Sequence, residues 1–176
     1  MNSIMLLTAK PRTGKTTCIQ KIIERLGRGR CDGFYTEEVR ADGERTGFQC
    51  VSLRGERATL ADVNSDSPIR VSRYGVELEA FEHLVIPILE SSLEADRILI
   101  IDGIGPMELF SEQFKRVLHK VLTSGKSIIG TIYYDEHPEV DVYKEYPNVE
   151  LIHVTEENRN RIPDELAEKI KTYKTP

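Results

Sequence analysis

Ile4-Met5-Leu6-Leu7-Thr8-Ala9-Lys10-Pro11-Arg12-Thr13-Gly14-Lys15-Thr16-Thr17 decides how the rest of this chain is read. An unbroken apolar run is followed by a small residue at Ala9, four free positions, and then Gly14, Lys15 and Thr16. By average composition, such a string arises by chance in a chain of this length with odds on the order of 1%. A loop of this kind joins a buried strand to a helix and points its backbone N–H groups inward at an anion, and the helix N-terminus adds a favourable dipole. Residues Ala9, Lys10, Pro11, Arg12, Thr13, Gly14, Lys15, Thr16 and Thr17 are the candidate phosphate cradle. Lys15 would reach the outer phosphates and the Thr16 hydroxyl would hold Mg²⁺.

The residues that follow supply the required helix. Cys18, Ile19, Ile22, Ile23 and Leu26 recur at the spacing of one helix face, and Gly27 and Gly29 stop it. Gly33 to Arg40 reads as a strand, Ala41-Asp42-Gly43-Glu44 as a turn and Thr46 to Leu53 as the partner strand, with the Asp-Gly pair marking a hairpin. A short strand is expected over Arg57 to Leu60, followed by a polar stretch from Asp62 to Ser67 and by Pro68.

Leu78, Phe81, Leu84, Val85, Ile88 and Leu89 form a helical stripe that Pro87 is expected to bend. Ile98-Leu99-Ile100-Ile101 is apolar at every position, as a strand covered on both faces requires, and it ends on Asp102. Then come a helix from about Ser111 (Phe114, Val117, Leu118, Val121), a strand over Ser127 to Thr131, a last strand over Val149 to Val154, and a closing helix over Pro163 to Lys171. This alternation predicts an α/β fold with a largely parallel sheet, helices on both faces and an inserted antiparallel hairpin. With no repeat or linker in the 176 residues, one nucleotide-binding domain over 1–176 is expected.

The bulk properties exclude several classes. No run approaches the ~20 apolar residues that cross a bilayer, and Met1-Asn2-Ser3 opens no secretory leader. The 24 Lys+Arg against 29 Asp+Glu give a formal net charge of -5, which offers no general attraction to nucleic acid or acidic membranes. Yet Lys10, Arg12, Lys15 and Lys21 gather around the loop, which suits a small polyanion. Cys18, Cys31 and Cys50 lack metal-ligand spacing, and an odd number of thiols fits a reducing, cytoplasmic setting. His83, His119, His137 and His153 show no spacing for a transition metal.

Ligands of open α/β sheets bind beyond the carboxyl ends of the strands, and both the loop and Asp102 sit at such ends. An acid ending an apolar strand, in a chain with this loop, is placed to bind Mg²⁺ directly or through its water.

The chain resembles the small nucleoside-triphosphatases first described from thermophiles, also called the cancer-related NTPase family. The likeness rests on the loop; on Gly33-Phe34-Tyr35-Thr36-Glu37-Glu38-Val39-Arg40 with Arg45, Gly47 and Phe48; and on Ser72-Arg73-Tyr74 followed by Phe81-Glu82. It continues through Asp102-Gly103-Ile104-Gly105-Pro106-Met107-Glu108-Leu109-Phe110-Ser111, Gly130-Thr131-Ile132 and Val154-Thr155-Glu156-Glu157-Asn158-Arg159. The resemblance implies a RecA-like P-loop fold, Mg²⁺-dependent hydrolysis of ATP, GTP and other nucleoside triphosphates to diphosphate and phosphate, and loose discrimination among bases. It implies Lys15 and Thr16 for phosphate and Mg²⁺, Asp102 for Mg²⁺, Asn158 and Arg159 beside the nucleotide, and Arg40, Arg45 and Arg73 as further basic positions.

Two departures stand out. The family usually reads Asp-Glu-Ile-Gly-Lys-Met-Glu-Leu after its central strand, whereas here Gly103 replaces the Glu and Pro106 the Lys. Arg12 stands where the family loop commonly has a second Gly. A positioned general base contributes roughly 10² to 10⁴-fold, so turnover is expected to be slow unless Glu108 substitutes, and a Gly103→Glu substitution is expected to quicken it. The alternatives are a nucleotide-binding switch with little turnover, and a nucleotide or small-molecule kinase, which would need an acceptor pocket and an arginine-rich lid.

Overall fold

The computed structural model describes residues 4–174. Met1, Asn2 and Ser3, read above for a leader, lie outside them. The chain runs β1 (Ile4–Thr8), α1 (Lys15–Leu26), β2 (Cys31–Ala41), β3 (Glu44–Ser52), β4 (Arg57–Asp62), β5 (Arg70–Val71), β6 (Tyr74–Val76), α2 (Leu78–Ser92), β7 (Ile98–Ile104), α3 (Glu112–Leu122), β8 (Ile128–Ile132), α4 (Pro138–Lys144), β9 (Val149–His153) and α5 (Ile162–Lys174). Short 3₁₀ turns occupy Arg28–Arg30 and Glu108–Phe110.

Among the described residues, the nine strands join one sheet in the order β5-β6-β4-β3-β2-β7-β8-β1-β9. The half from β2 to β9 is parallel, because each of its strands returns through a helix. The other half is antiparallel: β3 and β4, the expected hairpin partner and short strand, extend it outward from β2, and β6 and β5 carry it further than expected. Asp42 and Gly43 both have positive φ, the conformation that lets a two-residue turn match the twist of β2 and β3.

Period-two alternation divides the strands between two cores. Ile4, Leu6, Phe34, Leu99, Ile101 and Ile128 face α2, α3 and α4, whereas Met5, Leu7, Ile98, Ile100 and Ile129 face α1 and α5. This is why β1 and β7 read as continuous apolar runs: both faces are covered. On the first face Phe34, Phe81 and Phe114 pack edge to face at centroid distances of 5.2 to 6.5 Å.

The helices follow their stripes with local adjustments. In α1 the expected residues are all buried. In α2 Ile86 is buried while Leu84 and Ile88 are only half-buried, and the helix continues through Pro87 to Ser92. Ser111 caps α3 by accepting from Phe114 N at 2.9 Å. The closing helix is longer than expected at both ends.

Two features had not been expected. The first is α4, only seven residues long, announced by Pro138 at its start and acids Glu139 and Asp141 in its first turn. The second is the small β5–β6 hairpin. Among the described residues no helix is long and apolar enough to cross a membrane.

Candidate functional site

At the end of β1 the chain turns through Ala9 to Gly14 into α1. Thr13 closes the turn on Lys10 O, through its backbone N at 3.3 Å and its hydroxyl at 2.8 Å. Gly14, the residue before the helix, has φ +97°, a conformation that a side chain would resist. Arg12 adopts φ +68° and so takes the left-handed backbone itself, where the family commonly has glycine. Ala9 is buried, whereas Lys10, Pro11, Arg12 and Thr17 are exposed around the mouth.

Asp102 comes to this loop from β7, with β8 lying between β7 and β1 in the sheet. It is 4% exposed. Thr16 Oγ1 donates to its Oδ2 at 3.3 Å, Thr131 Oγ1 to its Oδ1 at 2.7 Å, and Thr36 Oγ1 to its main-chain O at 2.6 Å. Burial pushes the Asp102 carboxyl up, against the pull of Thr131 and of the Lys15 ammonium. Lys15 is half-buried; burial pushes its ammonium down, and the charges of Asp102 and Glu108 oppose that shift.

Glu108 follows β7 in the 3₁₀ turn and is 8% exposed, folded back over Gly105. Burial first, and then the neighbouring Asp102 charge, push its carboxyl up to about 7. The structure therefore brings Lys15, Thr16, Asp102 and Glu108 together, although α2 and two sheet halves separate the loop from the acids in sequence.

Gly103 departs from expectation in a second way. A Cβ at 103 would overlap Thr131 Oγ1 and lie 3.0 Å from Thr131 O. The added carboxylate foreseen to quicken turnover could enter only by displacing the Thr131 hydroxyl, because β8 packs against β7 at that point.

Arg159 reaches the loop, donating from Nη1 to Thr13 O at 3.3 Å. With Thr17, Cys18, Lys21 and Asn160 it lines a cleft of about 220 Å³ beside the first turn of α1. Asn158 does something else: its amide donates to His153 O at 2.8 Å and its Oδ1 accepts from Thr155 N at 2.7 Å, shaping the β9–α5 turn. Arg40, Arg45 and Arg73 are tied to one another's hairpins. Glu38 pairs with Arg40 and Arg45, and Tyr74 OH accepts from Arg45 at 2.9 Å and from Arg73 at 3.4 Å. Thr36 and Thr131 were not picked out as site residues. Thr131 stands near the carboxyl end of the apolar β8 and Thr36 midway along β2, and both fall inside motifs that carry the family resemblance.

A phosphate-type loop between a parallel strand and a helix, faced by an acid near the carboxyl end of the strand two places away, defines a P-loop α/β fold. A family model described as NTPase matches residues 4–167, and the chain belongs to that family. Among its relatives, the nucleoside-triphosphatase THEP1 of a Thermotoga species is 38% identical over 167 residues, covering 95% of each chain. The human cancer-related nucleoside-triphosphatase is 41% identical over 176 residues, covering 91% of this chain and 93% of that one. The crystal structure of THEP1 from Aquifex aeolicus superposes with a TM-score of 0.87 at 36% identity, covering 97% of this chain and 99% of that chain.

Proposed function

We propose that this protein is a Mg²⁺-dependent nucleoside-triphosphatase that hydrolyses ATP, GTP and other nucleoside triphosphates to diphosphate and phosphate, slowly and with little discrimination among bases. The whole chain acts as one nucleotide-binding domain. The observation that carries this reading is the meeting of Thr16 and Asp102 at 3.3 Å beside the half-buried Lys15. The names of the relatives agree with it.

The residues fit the cation. Thr16 and Asp102 offer hard oxygen donors, and Mg²⁺ characteristically takes one or two carboxylates or hydroxyls and completes its shell with phosphate and water. Bound there, the ion neutralises charge on the outer phosphates. The chain's own groups do the rest. Loop amides from Ala9 to Thr17 and the Lys15 ammonium bind the phosphates and hold them in line. Glu108 substitutes in part for the acid missing at 103, receiving the proton of the attacking water as the water oxygen bonds to the terminal phosphorus and the bond to the diphosphate oxygen breaks, and turnover stays slow. Arg159 and the cleft beside Thr17 and Lys21 take the nucleoside end. Cys18, Cys31 and Cys50 are buried as thiols, which supports a cytoplasmic, reducing setting.

The test is phosphate release from ATP, GTP, CTP and UTP, with and without Mg²⁺, by the wild type and Lys15→Ala. Release from all four that needs Mg²⁺ and falls about 100-fold in Lys15→Ala, as expected on losing a charged hydrogen bond, supports the reading. Tight binding without release would point to a switch, and transfer only to an added acceptor to a kinase.

A further inference from the structure

Asp102 is held from both neighbouring strands, its carboxylate from β8 and its main chain from β2. Thr131 on β8 is 2% exposed and gives its single proton to Asp102 Oδ1 at 2.7 Å. Thr36 on β2 holds the Asp102 main-chain oxygen at 2.6 Å. With Oδ1 engaged, the oxygen turned toward Thr16 is Oδ2. The Thr131 hydroxyl also occupies the place where a side chain on residue 103 would begin.

We propose that Thr131 is a positioning residue for the divalent cation: its hydroxyl fixes the Asp102 carboxylate so that Oδ2 faces Thr16, and Gly103 leaves room for that hydroxyl. The inference rests on the reading of the site given above. A carboxylate at the end of a strand rotates about its last bond, and a hydrogen bond to one oxygen selects which oxygen is presented. Groups that orient metal ligands in this way are typically worth 10- to 100-fold in metal affinity. A hydroxyl that only satisfied its own burial would contribute to stability and leave metal affinity alone.

The probe is Mn²⁺ with ADP, the bound metal being counted by loss of the free Mn²⁺ paramagnetic resonance signal. The proteins are the wild type, Thr131→Val, Thr131→Ser, Gly103→Ala and the double variant Gly103→Ala/Thr131→Val, each checked for folding by circular dichroism and melting. Thr131→Val is expected to weaken Mn²⁺ binding about 10- to 100-fold while ADP affinity in EDTA holds, and Thr131→Ser to restore most of the loss. Gly103→Ala displaces the same hydroxyl, so it should weaken Mn²⁺ binding as well, and the double variant should lose little more than either single one.

A folded Thr131→Val that binds Mn²⁺ as the wild type does would overturn the proposal, and so would losses that simply add in the double variant. If Thr131→Val does not fold, Gly103→Ala decides alone: weakened Mn²⁺ binding supports the proposal and unchanged binding overturns it. A wild type that holds no Mn²⁺ with ADP overturns the nucleotide reading itself and this inference with it, a result distinct from the others.

Discussion

Thr16 donates its hydroxyl to Asp102 Oδ2 at 3.3 Å, joining the start of α1 to the end of β7 across 86 residues of chain. The contact exists because β1 and β7 run parallel with only β8 between them, so both deliver their carboxyl ends to one edge of the sheet.

That packing decides the fate of Gly103→Glu. A Cβ at 103 overlaps Thr131 Oγ1, so the substitution must displace the hydroxyl that holds Asp102. We expect Mg²⁺-dependent phosphate release to fall rather than rise, with a melting temperature several degrees lower, as for an overpacked core position costing about 1–3 kcal/mol. Faster turnover in this variant would show that β7 and β8 separate there at little cost.

Glu108 makes the site sensitive to pH. Its carboxyl is pushed from 4.5 up to about 7 in the folded protein, so between those values the folded state holds a proton that the unfolded state has released. The stabilisation is fully present below 4.5 and is lost as pH rises to about 7. Glu108→Gln, which keeps the neutral form, should therefore raise the melting temperature of the nucleotide-free protein more at pH 8 than at pH 5. Hydrolysis by the wild type should climb as pH rises through about 7, and Glu108→Gln should lose that limb together with roughly 10² to 10⁴-fold in rate. A pH–rate profile and melting curves at both pH values read the two effects separately.

Arg12 carries left-handed backbone, φ +68°, inside the loop. A side chain there costs on the order of 1–2 kcal/mol that glycine avoids, partly offset by the greater freedom glycine has when unfolded. Arg12→Gly is expected to leave the melting temperature unchanged or higher and to weaken ATP binding several-fold through loss of a charge at the mouth. Melting curves and calorimetric titration measure both, and a destabilised Arg12→Gly would mean that the guanidinium holds the loop.

Ser111 closes the first turn of α3 through Phe114 N at 2.9 Å and also donates to Glu82 Oε2 on α2. Ser111→Ala removes both bonds. We expect a loss of about 1–2 kcal/mol in denaturant unfolding, the cost of a cap, without an effect on nucleotide affinity.

Legibility in the sequence followed the range of the forces involved. The loop, α1 and the apolar runs of β1 and β7 were readable because each is specified by neighbours a few residues apart. The β2–β3 hairpin was readable from Asp42-Gly43. By contrast α4 is shorter than the window in which helical periodicity shows, and β5 and β6 have two and three residues, too few for alternation. In the site, Lys15, Thr16 and Asp102 stood out by motif. Asn158 was read as lying beside the nucleotide, and only the folded chain shows that its side chain shapes the β9–α5 turn. Thr36 and Thr131 were invisible as partners of Asp102 because nothing in one strand states which strands will flank it.

By itself the sequence determined the strand–loop–helix unit at Ile4 to Leu26, the α/β alternation and the acid toward the carboxyl end of β7, since local periodicity and backbone chemistry specify these. Only the tertiary structure decided that Thr131 would hold Asp102, that a side chain at 103 would meet the Thr131 hydroxyl, and that Glu108 would be buried beside Lys15. Those outcomes depend on strand order, and strand order is set by how the two faces of the sheet are covered as the chain packs.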